Sequence, residues 1–313
     1  VDKLLETSVV GSFSRVGYAV RSRLEGWIDP PSLAGQRVLL TGATSGLGFE
    51  IAARVASLGA DVTIVARDPG RALAATQSLT ARSSNHRIDF LIGDVSDLAA
   101  MRRVGETVAA GGALDVLIHN AGAIAPRRTL SPQGYELTVA AQLLGPFHLT
   151  RILCDALGAS RPGRVVTVSS GGMYSQRFDL ATLEMSVNDY DGVAAYAKVK
   201  RAQLVLNREW AHRVSPTDVV FHAMHPGWTD TPGLRTSLPR FYSFARPLLR
   251  TPAQGADTVV WLAASRDATA SSGDFWLDRR RRYEHKVPWT RPRNPRRDQK
   301  ILWDWCVERT QDY

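Results

Sequence analysis

The stretch Thr41-Gly42-Ala43-Thr44-Ser45-Gly46-Leu47-Gly48 decides the fold. It follows the apolar run Val38–Thr41 directly and leads into a helical pattern at Leu47–Leu58. A side chain at any of the three glycines would obstruct a tight turn, the approach of backbone to a pyrophosphate, or close helix–strand contact. A helix that starts there presents free N–H groups and the positive end of its dipole to phosphates. The spacing T-G-x-x-x-G-x-G differs from the commoner G-x-G-x-x-G, and glycine triplets alone are weak signals. The strand–turn–helix context supports a phosphate-binding turn made of Gly42, Thr44, Ser45, Gly46, Leu47 and Gly48.

Working outward, apolar runs alternate with helical patterns. Strands are expected at Val38–Thr41, Val62–Ala66, Ile88–Ile92, Val116–His119, Val165–Ser169 and Val219–Met224, with helices between them, including Leu98–Ala109 and Ala195–His212. Nearly continuous apolar strands bracketed by helices imply an α/β, doubly wound parallel sheet covered on both faces, in a single domain without internal repeats. Residues 1–35 form an N-terminal extension that ends in the breaker Asp29-Pro30-Pro31. In it Phe13, Val16, Val20, Leu24 and Trp27 recur at helical spacing, with Arg15, Arg21 and Arg23 between them. Such an amphipathic helix either packs on the domain's own surface, the favoured expectation, or lies on a membrane surface.

The second strand ends in Val65-Ala66-Arg67-Asp68-Pro69-Gly70-Arg71. An acidic residue at this place suits the ribose 2′-hydroxyl of NAD, whereas arginine accommodates the 2′-phosphate of NADP. Arg67 and Arg71 together form a guanidinium clamp for one phosphate. Asp68 is also readable as the acidic residue displaced by one, so NADP(H) is favoured and NAD(H) is the less favoured alternative. Asp94-Val95, after the third strand, is placed to hold the adenine, or Asp94 simply caps the next helix.

Tyr196 and Lys200 are four apart in a helical stretch and project from one face. A phenol near pKa ~10 is a poor proton donor or acceptor at neutral pH. A neighbouring ammonium favours phenolate and makes proton exchange with a carbonyl or alcohol oxygen feasible. Y-x-x-x-K alone is a weak motif, but this pair follows the strand end Ser169-Ser170, where ligands of open α/β sheets bind. A Ser170 hydroxyl there can hold the substrate oxygen or merely bond local backbone.

The chain has 313 residues, 44% hydrophobic and 22% charged, and a net charge of +9. Residues 278–300 alone carry +7, so the charge belongs to a basic C-terminal tail, 278–313, and not to a nucleic-acid-binding domain. No specific nucleic acid partner is expected; contact of the tail with anionic lipid or another polyanion is the minority reading. The tail closes with Ile301-Leu302-Trp303-Asp304-Trp305, suited to docking a short helix on the body. Two cysteines, Cys154 and Cys306, show no metal-ligand spacing and suit a reducing, cytoplasmic compartment, with peripheral membrane contact as the variant that the N-terminal helix would allow. No metal site is expected. No uninterrupted apolar run reaches the ~18 residues of a membrane span, and the N-terminus lacks the apolar core of a secretion signal.

Taken together, T-G-x-x-x-G-x-G, Asn120-Ala121-Gly122, Val168-Ser169-Ser170, Tyr196-x-x-x-Lys200 and Pro226-Gly227-Trp228-Thr229-Asp230-Thr231 occur in the order seen in short-chain dehydrogenases/reductases, and roughly Gln36–Trp276, within a domain expected over 36–277, resembles that family. Val168–Met173, His225–Trp228 and Thr231-Pro232-Gly233 resemble one branch most closely; the retinol-dehydrogenase-like and carbonyl-reductase-like branches are more distant. The resemblance implies a Rossmann-type sheet of about seven strands in the order 3-2-1-4-5-6-7. It implies Tyr196 as general acid/base, Lys200 as the group that lowers its pKa, and Ser170 as the holder of the substrate oxygen. It further implies that Asn120, Ala121, Gly122, Pro226, Gly227, Thr229 and Thr231 line the cofactor, with Thr231 at the nicotinamide amide. Dimers or tetramers are frequent among relatives, so a homo-oligomer is implied, although the N-terminal extension bears on that.

Three departures matter. Where the family often has an asparagine three residues before a glycine, Gln142 stands before Gly145; that asparagine helps hold a water between lysine and solvent, and glutamine keeps the amide on a longer stem. His119 replaces an asparagine before Asn120 and reads as a structural histidine. Ser170 and Tyr196 are 26 residues apart, about twice the shorter family spacing; the insertion holds Met173, Tyr174, Phe178, Leu180, Leu183 and Met185, which either wall an apolar substrate or pack as a plain loop. Pro232–Pro247, with Leu238, Phe241, Tyr242 and Phe244, reads as a mobile lid. The leading expectation is an NADP(H)-dependent oxidoreductase acting on a small lipophilic ketone, aldehyde or alcohol. The alternative is a cofactor-binding scaffold of the same fold with little turnover, motivated by Gln142.

Overall fold

Strand residues alternate between two buried layers, and this drives the architecture. Val38 and Leu40 enter one core while Leu39 enters the other; Val116 and Ile118 part from Leu117 in the same way, and Val166 and Val168 from Val165. The computed structural model describes residues 2–313. Three short helices, α1 (Asp2–Glu6), α2 (Val9–Phe13) and α3 (Arg15–Leu24), precede β1 (Arg37–Thr41). Then follow α4 (Gly46–Ser57), β2 (Asp61–Ala66), α5 (Pro69–Ser83), β3 (Ile88–Ile92), α6 (Leu98–Ala110) and β4 (Val116–His119). Next come α7 (Leu137–Gly158), β5 (Gly163–Val168), α8 (Gly192–Arg213) and β6 (Val219–Met224). The chain ends with α9 (Pro232–Ser237), α10 (Pro239–Ala245), α11 (Pro252–Ala264), β7 (Asp274–Leu277), β8 (Arg280–Arg281) and α12 (Pro295–Thr310).

The sheet runs β3-β2-β1-β4-β5-β6-β7-β8. All pairings are parallel except β7 with β8. The expected order holds, and the expected count of seven is exceeded by the two-residue antiparallel β8. Because β1 sits between β2 and β4, the winding reverses there and a crevice opens at the strands' C-terminal ends. Helix α7 is long and apolar enough to cross a membrane, but 67% of its most apolar window is buried in the fold, which fits a core helix.

The N-terminal extension packs on the body, in an orientation that its apolar spacing did not foretell. Ser14 breaks the expected helix in two, Phe13 is buried, and Val16 and Leu24 face outward at 48% and 64% exposure. Arg21, expected on the polar side, is only 1% exposed. Its guanidinium meets Asp278 at 2.6 Å, Asp2 at 2.7 Å and Glu6 at 2.8 Å. Arg250, equally buried, bridges both oxygens of Asp278 at 2.5 and 2.9 Å. The C-terminal tail is likewise engaged with the body: Arg279 forks onto Asp257, Arg280 pairs with Glu25, Arg281 with Asp274, Arg282 with Asp2, Lys286 with Glu6 and Arg296 with Glu209.

Asp278 and Arg279 form the two-residue turn between β7 and β8, with φ of +54° and +52°. Such turns favour Asn-Gly because both central residues are left-handed. The Asp278 and Arg279 ion pairs hold this less suited dipeptide in place. Removing one partner from a buried ion cluster leaves charge uncompensated, at a cost of about 3–5 kcal/mol. Asp278→Ala is therefore expected to lower the unfolding free energy by about that much in urea denaturation; a loss below ~1 kcal/mol would contradict the cluster's structural role.

Candidate active site

The glycine turn lies at the crevice, between β1 and α4. Gly42 has φ +74°, and a Cβ there would sit 2.7 Å from Ala121 Cα. A Cβ on Gly48 would lie 2.1 Å from Gly42 O and 2.4 Å from Asn120 Nδ2. Asn120 in turn donates to the carbonyls of Thr41 and Gly42, while Thr41 Oγ1 accepts the N–H groups of Asn120 and Ala121. The sheet-covering helices α5, α6, α7, α8 and α11 all have side-chain N-caps, from Asp68, Asp97, Glu136, Asp191 and Thr251. Ser45, at the start of α4, forms no such bond. The N–H groups of Gly46, Leu47 and Gly48 thus begin a helix without a side-chain cap, beside an exposed Ser45 and a half-buried Thr44. A pyrophosphate fits this cradle.

At the adenosine end, Asp68 accepts from Arg71 N at 2.7 Å and caps α5, so its carboxylate is committed to backbone. Arg67 and Arg71 are exposed, and Arg67 Nη1 lies 3.6 Å from Asp94. Asp94 also accepts from the backbone and hydroxyl of Ser96, while Asp97, not Asp94, caps α6. The Val95 carbonyl rests on Gly145, where a Cβ would come within 1.9 Å.

Ser170, Tyr196 and Lys200 come together. Lys200 Nζ lies 5.2 Å from the centroid of the Tyr196 ring, and the Ser170 hydroxyl is close enough to the phenol to lower its pKa while accepting from Gly172 N at 3.3 Å. Lys200 donates to Val168 O at 2.8 Å. Burial raises the phenol's pKa and the Ser170 hydroxyl lowers it, with burial the larger effect. Burial also brings the Lys200 ammonium down to about 7. Arg201 adds an anchor that the sequence did not announce: it donates to Gln176 O, Met173 O and Glu284 O and ties the loop after Ser170 to α8.

Gln142 lies in a π-helical segment of α7, Ala140–Leu144, an irregularity frequent at functional sites. Its amide donates to Ala123 O at 2.9 Å, its Oε1 packs against Gly122, and its backbone carbonyl accepts from Gln203. Tyr196, Lys200, Gln203 and Asn207 share one face of α8, and the last two line a cavity of about 30 Å³ with His119, Gln142 and Thr150. His119 Nε2 lies 2.8 Å from Thr150 Oγ1, and burial lowers its pKa to about 3, so it is a neutral, structural histidine at physiological pH.

The loop after β6 divides its predicted residues. Thr231 caps α9 by accepting from Leu234 N, and its Cβ would lie 3.7 Å from a Cβ on Gly46, so it faces the glycine turn. Thr229 is buried, donates to Pro226 O and packs on Gly255. Pro226 O also receives Arg250, and Gly227 is pressed between Arg250 and Phe13 O. Of the insertion's six apolar residues, Met173, Tyr174, Phe178 and Leu183 are buried in the body, which answers their role as loop packing. In the segment after Thr231, Phe241 stacks edge-on against Trp228 while Phe244 is 83% exposed. Among the described residues, no cluster of three or more candidate ligands for a metal is present.

The family model described as short chain dehydrogenase matches residues 36–240. Human dehydrogenase/reductase SDR family member 12, of the branch expected from Val168–Met173 and His225–Trp228, is 37% identical over 271 residues, 86% of this chain and 85% of that protein. Mouse retinol dehydrogenase 14 is 34% identical over 278 residues, 82% and 81% of the two chains. Among solved structures, a protein from Beutenbergia cavernae assigned as an NAD(P) dependent gluconate 5-dehydrogenase, with NADP bound at low occupancy, is similar with a TM-score of 0.64 and 28% identity, over 79% of this chain and 96% of that one. The chain belongs to the short-chain dehydrogenase/reductase family of oxidoreductases.

Proposed function

We propose that the protein is an NADP(H)-dependent oxidoreductase that interconverts a lipophilic ketone or aldehyde and its alcohol, with residues 36–277 carrying the chemistry and the segments 1–35 and 278–313 framing it. One observation supports this reading above others: Lys200 Nζ lies 5.2 Å over the Tyr196 ring, with the Ser170 hydroxyl beside the same side chain. When bound, the dinucleotide supplies or accepts the hydride. In reduction Tyr196 gives its proton to the carbonyl oxygen, which Ser170 holds by hydrogen bonding; in oxidation Tyr196 takes the proton back. Lys200 stabilises the phenolate and has two N–H groups beyond the one on Val168 O for ribose hydroxyls. The exposed Arg67 and Arg71, with Asp68 committed to its cap, favour a 2′-phosphate over a free 2′-hydroxyl. The aromatic pair Trp228–Phe241 beside Thr231 and the relationship to a retinol dehydrogenase favour an apolar substrate. The scaffold reading draws on one observation, that the Gln142 amide is already engaged with Ala123 O and Gly122.

Tyr196→Phe is expected to lower kcat by at least about 10³-fold with NADPH and an aldehyde screen, on the scale of a lost general acid/base, while NADPH affinity stays within about twofold. Full activity in that variant would refute the role of Tyr196. Lys200 supplies a pH test. Its folded pKa of about 7 lies below the usual lysine value. Between the folded and unfolded values the unfolded chain binds the extra proton, so stability rises as pH climbs from 7, and the penalty is complete below 7. Relative to wild type, cofactor-free Lys200→Met is expected to gain a few kcal/mol at pH 6, on the order of 1.4 kcal/mol for every tenfold loss of proton affinity, and the gain to vanish near pH 10. A difference in urea unfolding that does not change with pH would contradict it.

A further inference from the structure

We propose that residues 2–24 are part of the active-site frame and that Phe13 is a positioning residue, setting the spacing between the loop that carries Ser170 and the loop Pro226–Thr231. The inference rests on the oxidoreductase reading above and deepens it. Phe13 touches both loops. Its ring edge lies on Gly171, the residue after Ser170, where a Cβ would come within 2.9 Å of Phe13 Cε2. Its carbonyl accepts from Trp228 N at 2.8 Å. Gly227, at φ +72°, has no room for a side chain, since a Cβ would sit 2.6 Å from Phe13 O and 2.4 Å from Arg250 Nε. The ring also meets His225 edge-on at 4.4 Å and Trp228 at 6.2 Å, and stacks on Tyr174 at 5.9 Å.

A helix of five residues, such as α2, has no stability of its own. It is held from behind. Arg250 donates to the carbonyls of Ser12 and Phe13, at the end of α2, and to that of Ser14, the cap residue of α3, which also accepts from Tyr18 N. Arg21 donates to Ser12 O as well, and Asp278 closes both guanidiniums. Lys286 lies 5.0 Å from the centroid of the Phe13 ring. The chain of contact therefore runs from Asp278 through Arg250 to Phe13, and from Phe13 to Gly171 on one side and Trp228 on the other. Those loops hold Ser170 and Thr231, the two groups between which the carbonyl and the nicotinamide must align. Misplacement by about 1 Å costs on the order of 100-fold in rate.

The test uses the full chain with Phe13→Ala, Phe13→Leu, Gly171→Ala and the pair Phe13→Leu/Gly171→Ala. Leu33→Ala, a fully buried residue in the other core, serves as a control for lost stability. Two readouts are taken: steady-state NADPH oxidation with 4-nitrobenzaldehyde, and deuterium exchange of peptides 168–176 and 225–231 without cofactor. Phe13→Ala is expected to lower kcat by about 10- to 100-fold, with KM for the aldehyde changed less than about threefold, and to speed exchange in both peptides. Gly171→Ala is expected to lose activity similarly, and the pair to regain most of it because the smaller leucine makes room for the new methyl. Leu33→Ala is expected to leave both peptides and kcat near wild type. Unchanged exchange in both peptides of Phe13→Ala, or a pair no better than Gly171→Ala alone, would overturn the proposal. If wild-type protein oxidises no NADPH with the aldehyde, the oxidoreductase reading is what fails, and the exchange data still decide whether Phe13 positions the two loops.

Discussion

One carboxylate, Asp278, holds two buried guanidiniums, and the chain's ends are fastened through it. It is fully buried and sits in a left-handed turn at the last hairpin of the sheet. Arg21 reaches it from the third N-terminal helix and Arg250 from the segment ahead of α11. Two cations against one anion would be unfavourable in a low-dielectric interior, and Arg21 also meets Asp2 and Glu6, which it shares with Arg282 and Lys286. Arg250 spends its remaining donors on backbone carbonyls of residues 12–14. A network of this kind fixes geometry more than it adds net stability, because the desolvation of its members offsets much of their attraction.

The candidate site is bordered by that network at one edge and by the sheet at the other. The glycine turn and the strand ends of β4 and β5 are set by parallel pairing and by cores on both faces. The loop after β6 has only one parallel bridge, Thr229 with Arg250, and otherwise leans on the Arg250 side chain, Phe13 and Gly255. Electrostatics within the site follow from burial. The same desolvation that raises the Tyr196 phenol lowers the Lys200 ammonium. Each charge alone is disfavoured there, whereas phenolate and ammonium as a pair are mutually stabilising.

The Rossmann-type core was legible because its signals are local. Apolar strands of near-constant length and the Thr41–Gly48 turn each declare themselves within a few residues. The limits of the six strands read from the sequence fell within two residues of the observed ones, while β7 and β8 had been given none, and Y-x-x-x-K lay in the helix that follows the Ser169-Ser170 strand end. The orientation of the N-terminal extension was not legible, because its decisive contact, Arg21 with Asp278, spans 257 residues. Hydrophobic spacing suggested a stripe through Val16 and Leu24, but a buried ion pair outweighed it and turned the helix over. The positive charge of the tail misled in the same manner: its arginines looked free in the sequence, and the partners of Arg279, Arg280 and Arg282 at Asp257, Glu25 and Asp2 are distant in the chain. The insertion after Ser170 could not be assigned from composition, since Met173 and Tyr174 would suit a substrate wall as well as a core.

A crystal structure of the full chain grown with saturating NADPH tests the central claim most directly. The expected result has the pyrophosphate on the Gly42–Gly48 turn, the 2′-phosphate within hydrogen-bond reach of Arg67 or Arg71, and the nicotinamide between Tyr196 and Thr231, with residues 2–24 in place. A nicotinamide directed away from Tyr196, or no dinucleotide at the glycine turn, would contradict it.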